Sequence, residues 1–103
     1  MKIYHIVTPE VWGNFKNKDF YEAESLQTEG FIHCSFADQL EGVLERYYSS
    51  TKKVLILTIE PEKLTSELIN EPSTNDEIYP HIYGKINRDA IIDIKEREIE
   101  ATN

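Results

Sequence analysis

Three histidines are the residues best suited to chemistry, and each sits in a compact aromatic or β-branched setting. His5 lies in Ile3-Tyr4-His5-Ile6, His33 in Gly30-Phe31-Ile32-His33-Cys34-Ser35, and His81 in Tyr79-Pro80-His81-Ile82-Tyr83-Gly84. Imidazole is the side chain that exchanges protons near neutral pH, and it also binds phosphate and ribose oxygens. Taken singly, each histidine reads as a structural residue satisfied by a hydrogen bond. Taken together, all three in strand-like segments and none in the charged stretches, they point to a shared cleft. Ser35, Tyr83, Thr8 and Glu71 are the expected neighbours in that cleft. Glu71 precedes Pro72, which favours an extended backbone and lets its carboxylate reach inward. Pro80 fixes an extended approach to His81, and a turn follows at Gly84. His81 is therefore expected to be the most exposed of the three and the least costly to remove.

Other chemistries have weaker support. Cys34 can act as a nucleophile only as a thiolate. Adjacent strand residues point to opposite faces, so His33 is badly placed to be its base. Core packing is the better reading of Cys34, and helix capping is the better reading of Ser35. Three histidines can ligate zinc, but their wide spacing matches no compact ligand signature, and no metal site is assigned. No phosphate-binding glycine loop, H-E-x-x-H or G-x-S-x-G is present.

These residues must be positioned by a single small domain. The chain has 103 residues and 12.0 kDa, with 40% hydrophobic and 29% charged residues. That composition suits one globular core. Its net charge of −8 argues against a broad nucleic-acid-binding surface. The single cysteine excludes an intrachain disulfide and a cysteine-rich zinc module. The longest apolar run, Val54–Ile59, is broken by Thr58 and is too short to cross a membrane. The opening residues lack a signal-peptide pattern, so the expected compartment is the cytoplasm. A monomer with a small-molecule ligand is the expected state.

Lys2–Val7 reads as a strand, followed by a short helix that Thr8 caps and Pro9 starts. Phe20–Glu22 reads as a short strand, and a helical turn from Ser25 closes at Gly30. Phe31–Cys34 is the second core strand. Ser35 is expected to cap a helix from Phe36 to about Tyr48, with Phe36, Leu40, Val43, Leu44 and Tyr47 on its buried face. Lys53–Glu60 reads as a central strand covered on both faces. Glu67–Glu71, Tyr79–Tyr83 and Ala90–Lys95 complete the strands, with a polar loop at Pro72–Asp76 and a fraying end from Glu96 to Asn103. Strands and helices do not alternate regularly. The expected class is α+β: a bent or split mixed β-sheet with two or three helices packed on it.

Ile3–Trp12, Gly30–Ser35, Ile59-Glu60-Pro61 and Pro80–Gly84 together resemble a small bacterial family of uncharacterised proteins, domain of unknown function nine-five-two. The resemblance spans nearly the whole chain. It implies a fold similar to the ADP-ribosyltransferases, including the RNA 2′-phosphotransferases, where a strand carrying Y-H-G-T places a histidine on a ribose of NAD. Tyr4 and His5 look like that dipeptide. Ile6-Val7 replaces the glycine and shifts the threonine to Thr8, and no residue clearly matches the family's late-strand glutamate or stacking tyrosine. NAD enters only through this resemblance. The expectation is a three-histidine pocket, with Tyr4, Thr8, Ser35, Glu71 and Tyr83 around it. It would bind or transform a nucleotide-derived or ribose- or phosphate-bearing molecule. The other readings are a non-catalytic binding module and a protein-interaction domain.

Overall fold

The computed structural model describes residues 1–99, and the first strand organises them. β1 (Ile3–Val7) pairs antiparallel with β4 (Lys53–Ile59), with Ile3 opposite Ile59 and His5 opposite Leu57. The far side of β4 carries β8 (Ile91–Glu98), with a register shift between Thr58 and Ile59. A second sheet has the order β3 (Ile32–His33), β6 (Ile78–Tyr83), β5 (Glu67–Pro72). β2 (Phe20–Tyr21) and β7 (Ile86–Asn87) form a separate pair. The two larger sheets meet where Tyr4 and Ser35 exchange backbone hydrogen bonds of 2.9 and 2.7 Å.

The split sheet of an α+β domain is therefore present. Its strands are not mixed in direction: every pairing among the described residues is antiparallel. A parallel pair needs a long crossover, whereas β5 and β6 are joined by the short segment 73–77 and pair as a hairpin.

β4 is covered on both faces, as its nearly unbroken apolar run requires. Leu57 and Ile59 join Ile3, Ile32, Ile82 and Ile86 in the main core. Val54 enters a second cluster with Ile6 and Leu44. Each such buried side chain contributes roughly 1.5–3 kcal/mol, so β4 ties both clusters into one fold.

The three α-helices among the described residues are short. In α1 (Pro9–Gly13), Thr8 Oγ1 accepts the Val11 N–H at 3.3 Å, as its sequence implies. α2 (Ser25–Thr28) ends at Gly30, whose φ of +90° suits glycine. α3 (Leu40–Tyr47) starts later than expected, after a 3-10 turn at Ala37–Gln39. Ser35 does not cap it: the capping position of the preceding 3-10 turn falls on Phe36, and Ser35 pairs through its backbone with Tyr4. The Gln39 side chain substitutes, accepting the Phe36 N–H at 2.9 Å and donating to the Ile78 carbonyl at 2.8 Å. Tyr47 also departs from the expected buried face, with 60% exposure, and its hydroxyl lies 3.0 Å from Thr74 Oγ1. The Pro72–Asp76 loop includes a 3-10 turn over Thr74–Asp76. The fraying expected from Glu96 fails for 96–98, which pair in β8 with β4, and the Ile99 N–H donates to the Lys52 carbonyl at 2.9 Å. Residues 100–103 lie outside the described part. No helix among the described residues is long and apolar enough to cross a membrane.

Candidate functional site

His5 is a buried strut between elements. Its Nδ1 lies 2.6 Å from the His33 carbonyl oxygen, which can only accept, so Nδ1 carries the proton. Nε2 then accepts the Tyr21 hydroxyl at 2.9 Å. Burial lowers the His5 pKa from 6.5 to about 4, assisted by the charge His33 can carry and opposed by the bond to the His33 backbone. The Tyr21 phenol is pushed up, chiefly by burial. His5 is thus neutral at pH 7 with both nitrogens occupied, so it is not the free acid–base group its motif suggests.

His33 and His81 face each other across β3 and β6, with ring centroids 5.3 Å apart. The expected order of exposure is reversed. His81 is 2% exposed, because Phe31 stacks on its ring with centroids 4.1 Å apart. The His33 side chain is 47% exposed, and its Nε2 lies 3.0 Å from Glu29 Oε2. His81 Nδ1 donates to Glu71 Oε1 at 2.7 Å, and the Tyr83 hydroxyl donates to the same oxygen. The Tyr83 bond first, and the His81 bond second, hold the Glu71 carboxyl below its ordinary value. The same bond raises the Tyr83 phenol. His81 Nε2 is buried with no hydrogen-bond partner among the described residues.

Two cavities open beside His33. The larger, about 560 Å³, is lined by His33, Ser35, Arg46, Tyr48 and Tyr79, among others. The smaller, about 290 Å³, is lined by Tyr4, His5, Thr8, Tyr21 and Val11, and shares His33 and Ser35 with the first. Of the residues expected from sequence, Tyr4, His5, Thr8, His33 and Ser35 line cavity walls. His81, Glu71 and Tyr83 form a hydrogen-bonded cluster beside His33, joined to it through the imidazole–imidazole contact. The three histidines are thus linked, with His33 touching both others, but only His33 offers an exposed ring.

Sequence reasoning missed Arg46, Tyr48, Tyr79 and Glu29. Arg46 Nη2 donates to the Tyr79 hydroxyl at 2.7 Å, and that hydroxyl lies 3.2 Å from Glu77 Oε2. The sequence signal for Arg46 was its place in the last turn of α3, the usual position for a cation. A guanidinium beside a partly exposed imidazole can hold an anion while the imidazole moves a proton. No group of three or more histidine, cysteine or acidic side chains able to hold a metal occurs among the described residues.

Cys34 is poorly suited to act as a nucleophile in the folded chain. It is buried, and burial pushes its thiol well up. An Ellman titration of native protein is expected to leave Cys34 unmodified over minutes and to release one thiol equivalent per chain in urea. Rapid native reaction would return Cys34 to the candidate nucleophiles.

The crystal structure of protein CC0527 from Caulobacter crescentus is similar to this chain with a TM-score of 0.88 at 22% identity. The match covers 98% of this chain and 90% of that one. Its solution NMR structure gives a TM-score of 0.76, also at 22% identity, covering 97% of this chain and 87% of that one. At this identity the likeness establishes the fold. No curated protein matches the chain. Residues 6–94 match the family described as Protein of unknown function (DUF952), which takes in the last two residues of β1 and the His33 and His81 motifs and begins just after His5. On that match the chain belongs to the DUF952 family.

Proposed function

We propose that the His33–Arg46 cleft binds a small anionic molecule, ribose- or phosphate-bearing and of nucleotide-derived type, on an ADP-ribosyltransferase-like fold. The observation that carries this reading is that Arg46 and the exposed His33 line one cavity of a chain whose net charge is −8. Arg46 is the one guanidinium lining this cavity, and Glu29, the carboxylate that also lines it, is taken up by His33, which leaves the Arg46 end of the cleft suited to an anion. Arg46 is the anion anchor in this reading. His33 is the acid–base group, Tyr4, Thr8 and Ser35 are wall contacts, and the Glu71–His81–Tyr83 cluster holds His33 in place.

The resemblance that brings NAD into consideration rests on Tyr4 and His5. Both His5 nitrogens are already bonded, so a ribose hydroxyl would have to meet His33 instead. A binding module without turnover is the second reading. The observation in its favour is that Cys34 is buried and two of the three imidazoles are locked away.

Calorimetry with ADP-ribose, ADP and NAD tests the reading, with mass spectrometry of the mixture to detect products. Arg46→Ala is expected to weaken binding about tenfold or more, the range for losing a charge-assisted pair. Products favour the enzyme, and binding without products favours the module. Absence of binding at millimolar ligand, or an Arg46→Ala variant with unchanged affinity, would sink the proposal.

A further inference from the structure

We propose that the site has two chemically distinct halves, so that its ligand is a phosphate monoester of a compact, uncharged ring. This rests on the anion-binding reading above and adds what the remainder of the ligand must be. The two cavities share His33, Ser35, Val43 and Tyr48 and therefore adjoin each other at those residues, the waist of the proposed site.

The halves differ in charge. Apart from His33, the ionised side chains lining the larger cavity are Arg46 and Glu29, and Glu29 is hydrogen-bonded to His33. A guanidinium has five N–H donors, and one of the Arg46 nitrogens is held by the Tyr79 hydroxyl. The remaining donors suit the several oxygens of a phosphate. The smaller cavity has neither lysine nor arginine in its lining, and its ionised member is Glu24, which repels an anion. Val7, Val11, Val43 and Ala23 give it an apolar wall. His5 and Tyr21 line it as well, but their facing polar atoms are bonded to each other. The phosphate belongs at Arg46, the ring among the valines, and the ester link at the waist beside His33.

Calorimetry of the full chain with inorganic phosphate, phenol and phenyl phosphate tests the division. Phenyl phosphate is expected to bind at least about tenfold tighter than phosphate, the gain coming from ring burial. Val11 is 41% exposed, so Val11→Glu is expected to fold, with its thermal melt as the check. This variant should remove most of the phenyl gain, read as the ratio of phenyl phosphate to phosphate affinity in the same protein, and Arg46→Ala should weaken both anions. Equal affinities for phosphate and phenyl phosphate, or a gain that survives Val11→Glu, would overturn the two-part site and leave anion binding standing. Failure of both anions to bind would overturn the anion-binding reading and the two-part site with it.

Discussion

Taking the protein from pH 7 to pH 4 is expected to remove about 3 kcal/mol of folding stability through His5 alone. The folded imidazole titrates at about 4, against 6.5 for the free side chain. Below 6.5 the unfolded chain takes up a proton that the buried ring refuses. The stability is therefore fully present above about 6.5, is lost as pH falls towards 4, and levels off once the folded ring also protonates. The groups facing His5 explain the refusal. A charged ring would turn Nε2 into a donor aimed at the Tyr21 hydroxyl, while Nδ1 already donates to the His33 carbonyl. The Tyr21 proton would then have to leave its present bond. Urea unfolding of the native chain and of His5→Leu between pH 4 and 7.5 measures this. The variant is expected to be less stable at pH 7 by about 1–3 kcal/mol, because two buried hydrogen bonds are lost. Its stability should also vary less with pH, by nearly one proton across the window. A variant with the native slope would show that other groups carry the acid sensitivity.

The second large effect is expected at His81. His81→Ala removes a ring that is 2% exposed, stacked on Phe31 and bonded to Glu71. The cavity and the weakened carboxylate network should cost about 2–4 kcal/mol. His33→Ala removes a half-exposed ring and should cost under about 1 kcal/mol, since the ion pair it makes with Glu29 is exposed as well. Denaturant midpoints of the two variants at pH 7 decide the order. If His33→Ala proves the more damaging, the description of His81 as a packed ring and His33 as the open one is wrong.

That order inverts the one expected from sequence, and the reason is physical. Pro80 sets the backbone before His81 but says nothing about what covers the ring. The cover is Phe31, which is 50 positions away in sequence and comes into contact only through the β3–β6 pairing. Local patterns were readable wherever a local cause acts. Thr8-Pro9 started a helix, Gly30 ended one, and the β-branched runs at Ile3–Val7 and Lys53–Ile59 formed strands. Ile86–Asn87 was too short to show a period, so β7 was missed. Strand direction and the start of α3 were misread because both depend on distant partners. Ser35 is taken by Tyr4, and Gln39 is anchored on Ile78. The same limit applies to the site. The histidines stand out by their motifs, whereas Arg46 and Tyr79 look like an ordinary helix cation and a core aromatic until the fold sets them 2.7 Å apart.

The polar contact between the two larger sheets is narrow. It has two backbone hydrogen bonds between Tyr4 and Ser35, with the His5 ring reaching across to the His33 carbonyl, while Ile3, Leu57 and Ile59 of one sheet share the main core with Ile32 and Ile82 of the other. Mechanically the two sheets are plates held together by that core, and one imidazole is a pin through the polar seam between them. Tyr4, His5, His33 and Ser35 are also walls of the smaller cavity, so that cavity lies along the seam. Acid acts on that seam through its pin, because burial disfavours the charged form of the His5 ring.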